Sequence, residues 1–291
     1  MPRTRVPLRA VAAALLAAAL TLAAAAPASA QDDGGVQPGD EPQQPEPANP
    51  CKGADKETLR CPDLQMSKPF GLRVERTKSG RVRLRAGNSI NSRGRGPLEV
   101  RGERINNTSM KVRQAIYRTG GRSPLLVKTD GRLDFKDARP HGLFWKYRHP
   151  ARFELWSLDS EGKRKQLVRT GPKVHYCLRD LNRTAGGLPN SPSGRVYPAC
   201  NQDKNRRSVR LGTSVGWSDV YPPTYPEQYI DVTGLRGTFS YRQVADPRNT
   251  IHESNESNND ASLTVRLPLG GGGSLKSPDV RDPDSVYAFG P

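Results

Sequence analysis

Imidazole is scarce in this chain: histidine occurs only at 141, 149, 175 and 252. A nitrogen-ligated copper or zinc site needs several such rings converging. On a β-strand the spacing that achieves this is i, i+2, i+4, because alternate side chains share a face. No two of the four histidines stand two apart, so a metal site would have to be rearranged, drawing on His141, His149 and His175. Ser157, His175 and Asp180 hold the residue types of a hydrolytic triad, but Ser157 sits in no nucleophile elbow. Residues 255–260 (NESNND) offer oxygens to a hard cation without the spacing of a calcium loop, and a turn between strands explains them as well.

The elements that must position these groups are short strands. Alternating or apolar runs at 71–76, 81–85, 98–102, 110–117, 125–128, 151–158, 166–170, 229–233, 237–244 and 261–267 are separated by Gly, Pro and Asn, and no long window carries a helical stripe. In the run at 229–233, Ile230 and Val232 are expected to face inward, with Tyr229 and Asp231 on the other side. This pattern predicts an all-β protein, a β-sandwich with long loops.

The ends are of a different composition. Residues 1–30 have Arg3, Arg5 and Arg9, an Ala/Leu-rich stretch and Ala28-Ser29-Ala30, the layout of a cleaved export signal. Residues 31–58 are read as a Pro-rich disordered linker, 59–268 as the folded β domain, and 269–291 as a Gly-rich tail. Four cysteines, at 51, 61, 177 and 200, fit an oxidising compartment and two disulfides. Three pairings are open, and proximity favours Cys51 with Cys61 and Cys177 with Cys200.

The net charge is +17, falling to +14 without the first 30 residues. The cations are not gathered in a tail. They alternate along strands, as in Arg81-Val82-Arg83-Leu84-Arg85, which fits a solvated sheet face. A polyanion-binding, envelope-associated protein is the competing reading, and it requires the cations to concentrate on one face. Export argues against nucleic acid as the partner and points to an extracellular protein or a cell-envelope component. Removal of the signal would leave no membrane span.

Five segments, in order, resemble the catalytic domain of the lysyl oxidase family. They are Cys61-Pro-Asp-Leu64; the stretch HGLFWKYRHPARFELW from His141 to Trp156; Lys173-Val-His-Tyr-Cys177-Leu-Arg-Asp180; Gly216-Trp-Ser-Asp219-Val-Tyr221 followed by Tyr229-Ile-Asp231-Val-Thr233; and Ala245-Asp-Pro247 with Glu253-Ser-Asn255-Glu-Ser-Asn258-Asn259. The resemblance implies a β-rich fold, a copper ion and a self-made quinone, lysine tyrosylquinone. Lys173 and Tyr221 stand at the two positions that cross-link to form it. It further implies oxidation of primary amines, such as lysyl side chains, to aldehydes.

The copper segment departs from the family's pattern. The three ligand positions fall on His141, Leu143 and Trp145, or, one residue along, on Gly142, Phe144 and Lys146. At most one is a histidine. The expectation is therefore a secreted lysyl oxidase-like binding or structural module with a lost or weakened copper site, whose residual metal candidates are His141 and His175. The alternative is an active copper-dependent amine oxidase.

Overall fold

The computed structural model describes residues 48–268, apart from 138, 140 and 141. The expected export signal, most of the Pro-rich segment, the Gly-rich tail and His141 lie outside the described residues. Seventeen strands follow in order: β1 (Leu59–Arg60), β2 (Leu64–Met66), β3 (Phe70–Arg76), β4 (Val82–Ser92), β5 (Leu98–Arg104), β6 (Ser109–Arg118), β7 (Leu125–Asp137), β8 (Leu143–Arg148), β9 (Ala151–Leu158), β10 (Arg164–Thr170), β11 (His175–Tyr176), β12 (Asn182–Arg183), β13 (Ser208–Thr213), β14 (Trp217–Tyr221), β15 (Tyr229–Asp231), β16 (Gly237–Ala245) and β17 (Asp260–Leu267). Helix among the described residues is confined to three short 3-10 turns.

The strands form three antiparallel sheets. One runs β11-β8-β7-β6-β5-β13, with β1 also on β6; the second runs β10-β9-β16-β17; the third runs β12-β14-β4-β15, with β2 and β3 also on β4. Alternation in the sequence drives this arrangement. On β6, Met110 and Val112 are buried while Lys111 is exposed. On β15, Ile230 is fully buried and Tyr229 and Asp231 are not, as the alternation requires. Inward residues of all three sheets meet in one core, among them Val100, Leu133 and Tyr147 from the first, Phe153 and Tyr241 from the second, and Leu84 and Ile90 from the third.

Two features tie the ends of this core together. The Glu253 carboxylate accepts from the Leu64 backbone N–H and, at 2.9 Å, from the Asn259 amide. Ser254 N–H donates to the Pro62 carbonyl at 2.9 Å and Asn258 donates to Asp63 at 2.9 Å. The first and last of the five segments thus form one clasp. The 255–260 stretch is a turn in its service: Asn255 accepts from Ser257, and Asp260 pairs with Arg242 at 2.8 Å. No cation loop is built there.

The second tie is at the N-terminal side, where the stretch expected to be linker runs into the folded body. Pro50–Lys52 and Lys56–Thr58 are 3-10 turns, Cys51 is joined to Cys61, and Asn49 donates to the Glu253 carbonyl at 3.1 Å. The other disulfide joins Cys177 to Cys200.

Candidate functional site: a buried lysine among three tyrosines

Lys173 lies in the loop between β10 and β11 and is only 3% exposed. Its amine stands over three aromatic faces, 4.3 Å from the centre of Tyr221, 4.4 Å from Tyr225 and 4.6 Å from Tyr176. Tyr221 ends β14, and its ring meets Tyr176 and Tyr225 edge to face at 4.9 Å and 5.1 Å. The Tyr221 hydroxyl accepts from the Cys177 backbone N–H at 2.7 Å, so the Cys177–Cys200 disulfide anchors the loop that holds the phenol. β14 is aimed by the turn before it. Gly216 has φ of +76° there, and a side chain would meet the Ala185 carbonyl at 2.4 Å. The two residues singled out by resemblance, far apart in the chain, are therefore in contact.

The electrostatics of the site follow from burial. Burial, with the Lys146 charge adding to it, pushes the Lys173 amine down to about 7, against the opposing pull of Glu227 and Asp219. Asp219 lies two residues before Tyr221, on the same face of β14, is fully buried, and has no hydrogen-bond partner on either carboxylate oxygen. Burial raises it to about 7, with Arg179, Lys173 and Lys146 acting the other way. The Tyr221 and Tyr176 phenols are held well above their ordinary value by burial. The chemistry available is thus an amine about half unprotonated near neutral pH beside a neutral phenol. An intact phenol ring is electron-rich and accepts no amine; it becomes electrophilic only on oxidation to a quinone.

The residues fit copper poorly. Of the two possible ligand sets on β8, the one through Lys146 is the one that reaches the tyrosines: Lys146 Nζ donates to the Tyr225 hydroxyl at 3.2 Å and lies 6.0 Å from the Phe144 ring centre. Trp145, in the other set, is fully buried against Phe135 and donates to the Asp203 carbonyl at 3.0 Å, and Leu143 is exposed. A protonated lysine has no lone pair for a metal and repels a cation.

His175 Nε2 is engaged by Asp134 at 2.7 Å, and Asp134 is also gripped by Arg148 at 2.7 and 2.9 Å. His149 sits at φ of +60°, half-buried, with burial and neighbouring cations lowering it to about 4. His252 is buried near Cys51, whose disulfide sulfur lies 3.7 Å from the His252 carbonyl. Among the described residues, no three His, Cys, Asp or Glu side chains converge on a metal position.

The hydrolytic alternative is also taken apart. The Ser157 hydroxyl bonds within the β9–β10 hairpin, to Gln166. Asp180 is buried and accepts from the backbone N–H of Val196, Tyr197 and Ser214 and from the Ser214 hydroxyl. The letters Gly212-Thr-Ser214-Val-Gly216 match the sequence pattern of a nucleophile elbow. They form a turn between two strands, and Ser214 faces Asp180, not an imidazole.

Three participants had weak sequence signals. Tyr225 lies in a Pro-flanked loop, Tyr176 beside His175, and Asp219 is marked only by its place two before Tyr221. The lysyl oxidase family model matches residues 126–268, a span that holds Lys146, Lys173, Tyr221 and the clasp carboxylate Glu253. None of the curated proteins compared matches the chain.

Proposed function

This chain belongs to the lysyl oxidase family, and from that premise we propose that it is an exported binding or structural module that keeps the Lys173–Tyr221 contact without the family's copper chemistry. The observation that carries the reading is Lys146. Its amine donates to Tyr225 at 3.2 Å, beside the Lys173–Tyr221 contact, and in that register it replaces an imidazole ligand with a basic side chain, whose pKa burial lowers. Without an oxidant at the phenol, Tyr221 stays a phenol and Lys173 an amine, and the cluster serves as packing: three rings, two lysine stems and a buried carboxylate. The Ala28-Ser29-Ala30 signal pattern and two disulfides support export. The partner class is an extracellular protein or a cell-envelope component.

The test is to purify the exported protein after growth with added copper, measure copper per chain, stain for redox-cycling quinone, and map the peptides holding Lys173 and Tyr221 by mass. The expected result is no stoichiometric copper, no stain and two separate peptides. A second reading, a copper- and quinone-dependent oxidase that turns primary amines into aldehydes with ammonia and hydrogen peroxide, is favoured by one observation, the 4.3 Å approach of the amine to the Tyr221 ring. One copper per chain together with a Lys173–Tyr221 cross-link would establish that reading and displace the first.

A further inference from the structure

Four cations stand in one row across the first sheet. Arg210 on β13 is directly opposite Arg101 on β5, Arg101 is opposite Arg113 on β6, and Arg113 is opposite Lys128 on β7. Directly opposed residues share a face, and the alternate positions Leu211, Val100 and Val112 are buried in the core, so the row lies on the outer face. Arg210 and Lys128 are exposed, and Arg101 and Arg113 half-buried. Like charges in direct opposition destabilise a sheet, so an uncompensated row calls for a counter-charge. The buried carboxylate of Glu99 answers two of the four, lying 2.7 Å from Arg101 and 3.9 Å from Arg210. Arg113 and Lys128 have no acidic partner among the described residues.

The surroundings define the shape of what would fit. On one side of the row, Glu103 pairs with Lys111 at 3.2 Å, and exposed Arg132 stands opposite Lys111, so the positive field widens at the β7 end. On the other stand Gly212, Glu99, Ala115 and Leu126, with no further cation. The positive charge is therefore an elongated row across four strands, widened by Arg132 at its β7 end, a shape that suits a chain better than a flat lipid surface. The two tyrosines at the row are engaged within the protein, Tyr197 buried under Arg210 and both hydroxyls on Glu99, so bases would find no open ring face at Tyr197 to stack on. At the β13 end the row opens into a groove of about 510 Å³ lined by Arg206, Ser208 and Arg210 among others.

We infer that the row Arg210–Arg101–Arg113–Lys128, with the groove at its β13 end, is a docking track for a linear polymer of phosphate groups. The inference does not depend on whether the lysine–tyrosine site makes a quinone. Each arginine presents a planar fork matched to phosphate oxygens, and Lys128 adds a point charge. Because the attraction is mainly charge, affinity falls steeply with salt.

The test is titration of the protein with long-chain inorganic polyphosphate, with duplex DNA and phosphatidylglycerol vesicles as the other arms, at low and moderate salt. The double variant Arg113→Glu/Lys128→Glu is compared with Lys165→Glu/Arg169→Glu, which makes the same charge change on β10 in the second sheet. The expected result is salt-sensitive polyphosphate binding weakened about tenfold or more by the first pair and about twofold or less by the second. If the reversal fails to fold, Arg113→Gln/Lys128→Gln, checked by near-ultraviolet circular dichroism, should weaken binding about threefold or more, the loss of two cations without added repulsion. Equal losses in the two pairs would overturn the inference in favour of diffuse net charge. Absence of polyphosphate binding, or tighter binding of duplex or vesicles than of polyphosphate, would overturn it too.

Discussion

Asp134 holds His175 by a 2.7 Å contact to Nε2, which fixes the ring against β7. The same carboxylate takes two bonds from Arg148 on β8, so it joins the short edge strand β11 to the sheet. These partners hold the Asp134 carboxyl far below its usual range despite burial.

Asp134→Asn should therefore destabilise the fold while leaving metal content untouched. Charge-assisted bonds to Arg148 and His175 would be weakened, at a cost of about 1–3 kcal/mol. Urea denaturation reads the shift in midpoint. A change smaller than about 0.5 kcal/mol would mean that the pairing contributes little beyond surface ion pairs of the ordinary kind.

Acid sensitivity should trace in part to His149. Its pKa is about 4 in the fold and 6.5 unpartnered, so between these values the unfolded chain carries the extra proton. Stability is then lost as pH falls below about 6.5. His149→Asn tolerates the left-handed backbone at this position and cannot titrate. Between pH 6.5 and 4.5 the variant should lose about 1 kcal/mol less than the parent, a figure discounted for partial exposure. Parallel unfolding curves at the two pH values would show no such difference if the ring is in fact well solvated.

Lys173 gives the opposite limb. Its amine titrates near 7 in the fold against 10.5 for an ordinary lysine, so above pH 7 the unfolded chain holds the extra proton and stability rises with pH. Asp219 and Asp246, both raised to about 7 by burial, act below that point: the folded state holds their protons, and stability falls as pH climbs from about 4 to 7. Between pH 7 and 9 the parent should gain about 2 kcal/mol that Lys173→Met does not. Equal gains in the two proteins would place the alkaline limb elsewhere.

Opening the Cys177–Cys200 loop should cost more than loop entropy predicts. A closed loop of 23 residues is worth about 3 kcal/mol. Cys177 also donates its N–H to the Tyr221 hydroxyl, so Cys177→Ser/Cys200→Ser should loosen the ring that Lys173 contacts. Tyrosine near-ultraviolet circular dichroism is the second readout. Loss of stability without a change in that signal would separate the loop from the site.

The sequence made the strands legible where one face is wet. The span 151–158 agrees with the observed β9, and 229–233 shows the inward pair Ile230 and Val232. It failed where polar residues are buried. The second half of β4 contains Asn88, Ser89, Asn91 and Ser92, all buried; Asn88 and Asn91 bond to Gln228 and Ser218, and no hydropathy pattern reports that. β14, which aims Tyr221, is buried throughout and so does not alternate. Lys173 and Tyr221 were recoverable by resemblance. Their neighbours Asp219 and Tyr225 were not, because the loop that closes over them is long-range and Pro-flanked. The two cross-strand contacts that line up Arg101 with Arg113 and Lys128 needed register, which a single strand does not encode.

The Glu253 clasp has a temporal side. The amide of Leu64 finds its carboxylate 189 residues later in the chain, and Pro62 and Asp63 likewise wait for Ser254 and Asn258. During synthesis β2 can pair with β4 early, but the clasp itself cannot close until almost all of the domain has been made. Such distant closures slow folding. If the chain is exported as proposed, a latch whose keeper arrives last leaves it threadable until the end.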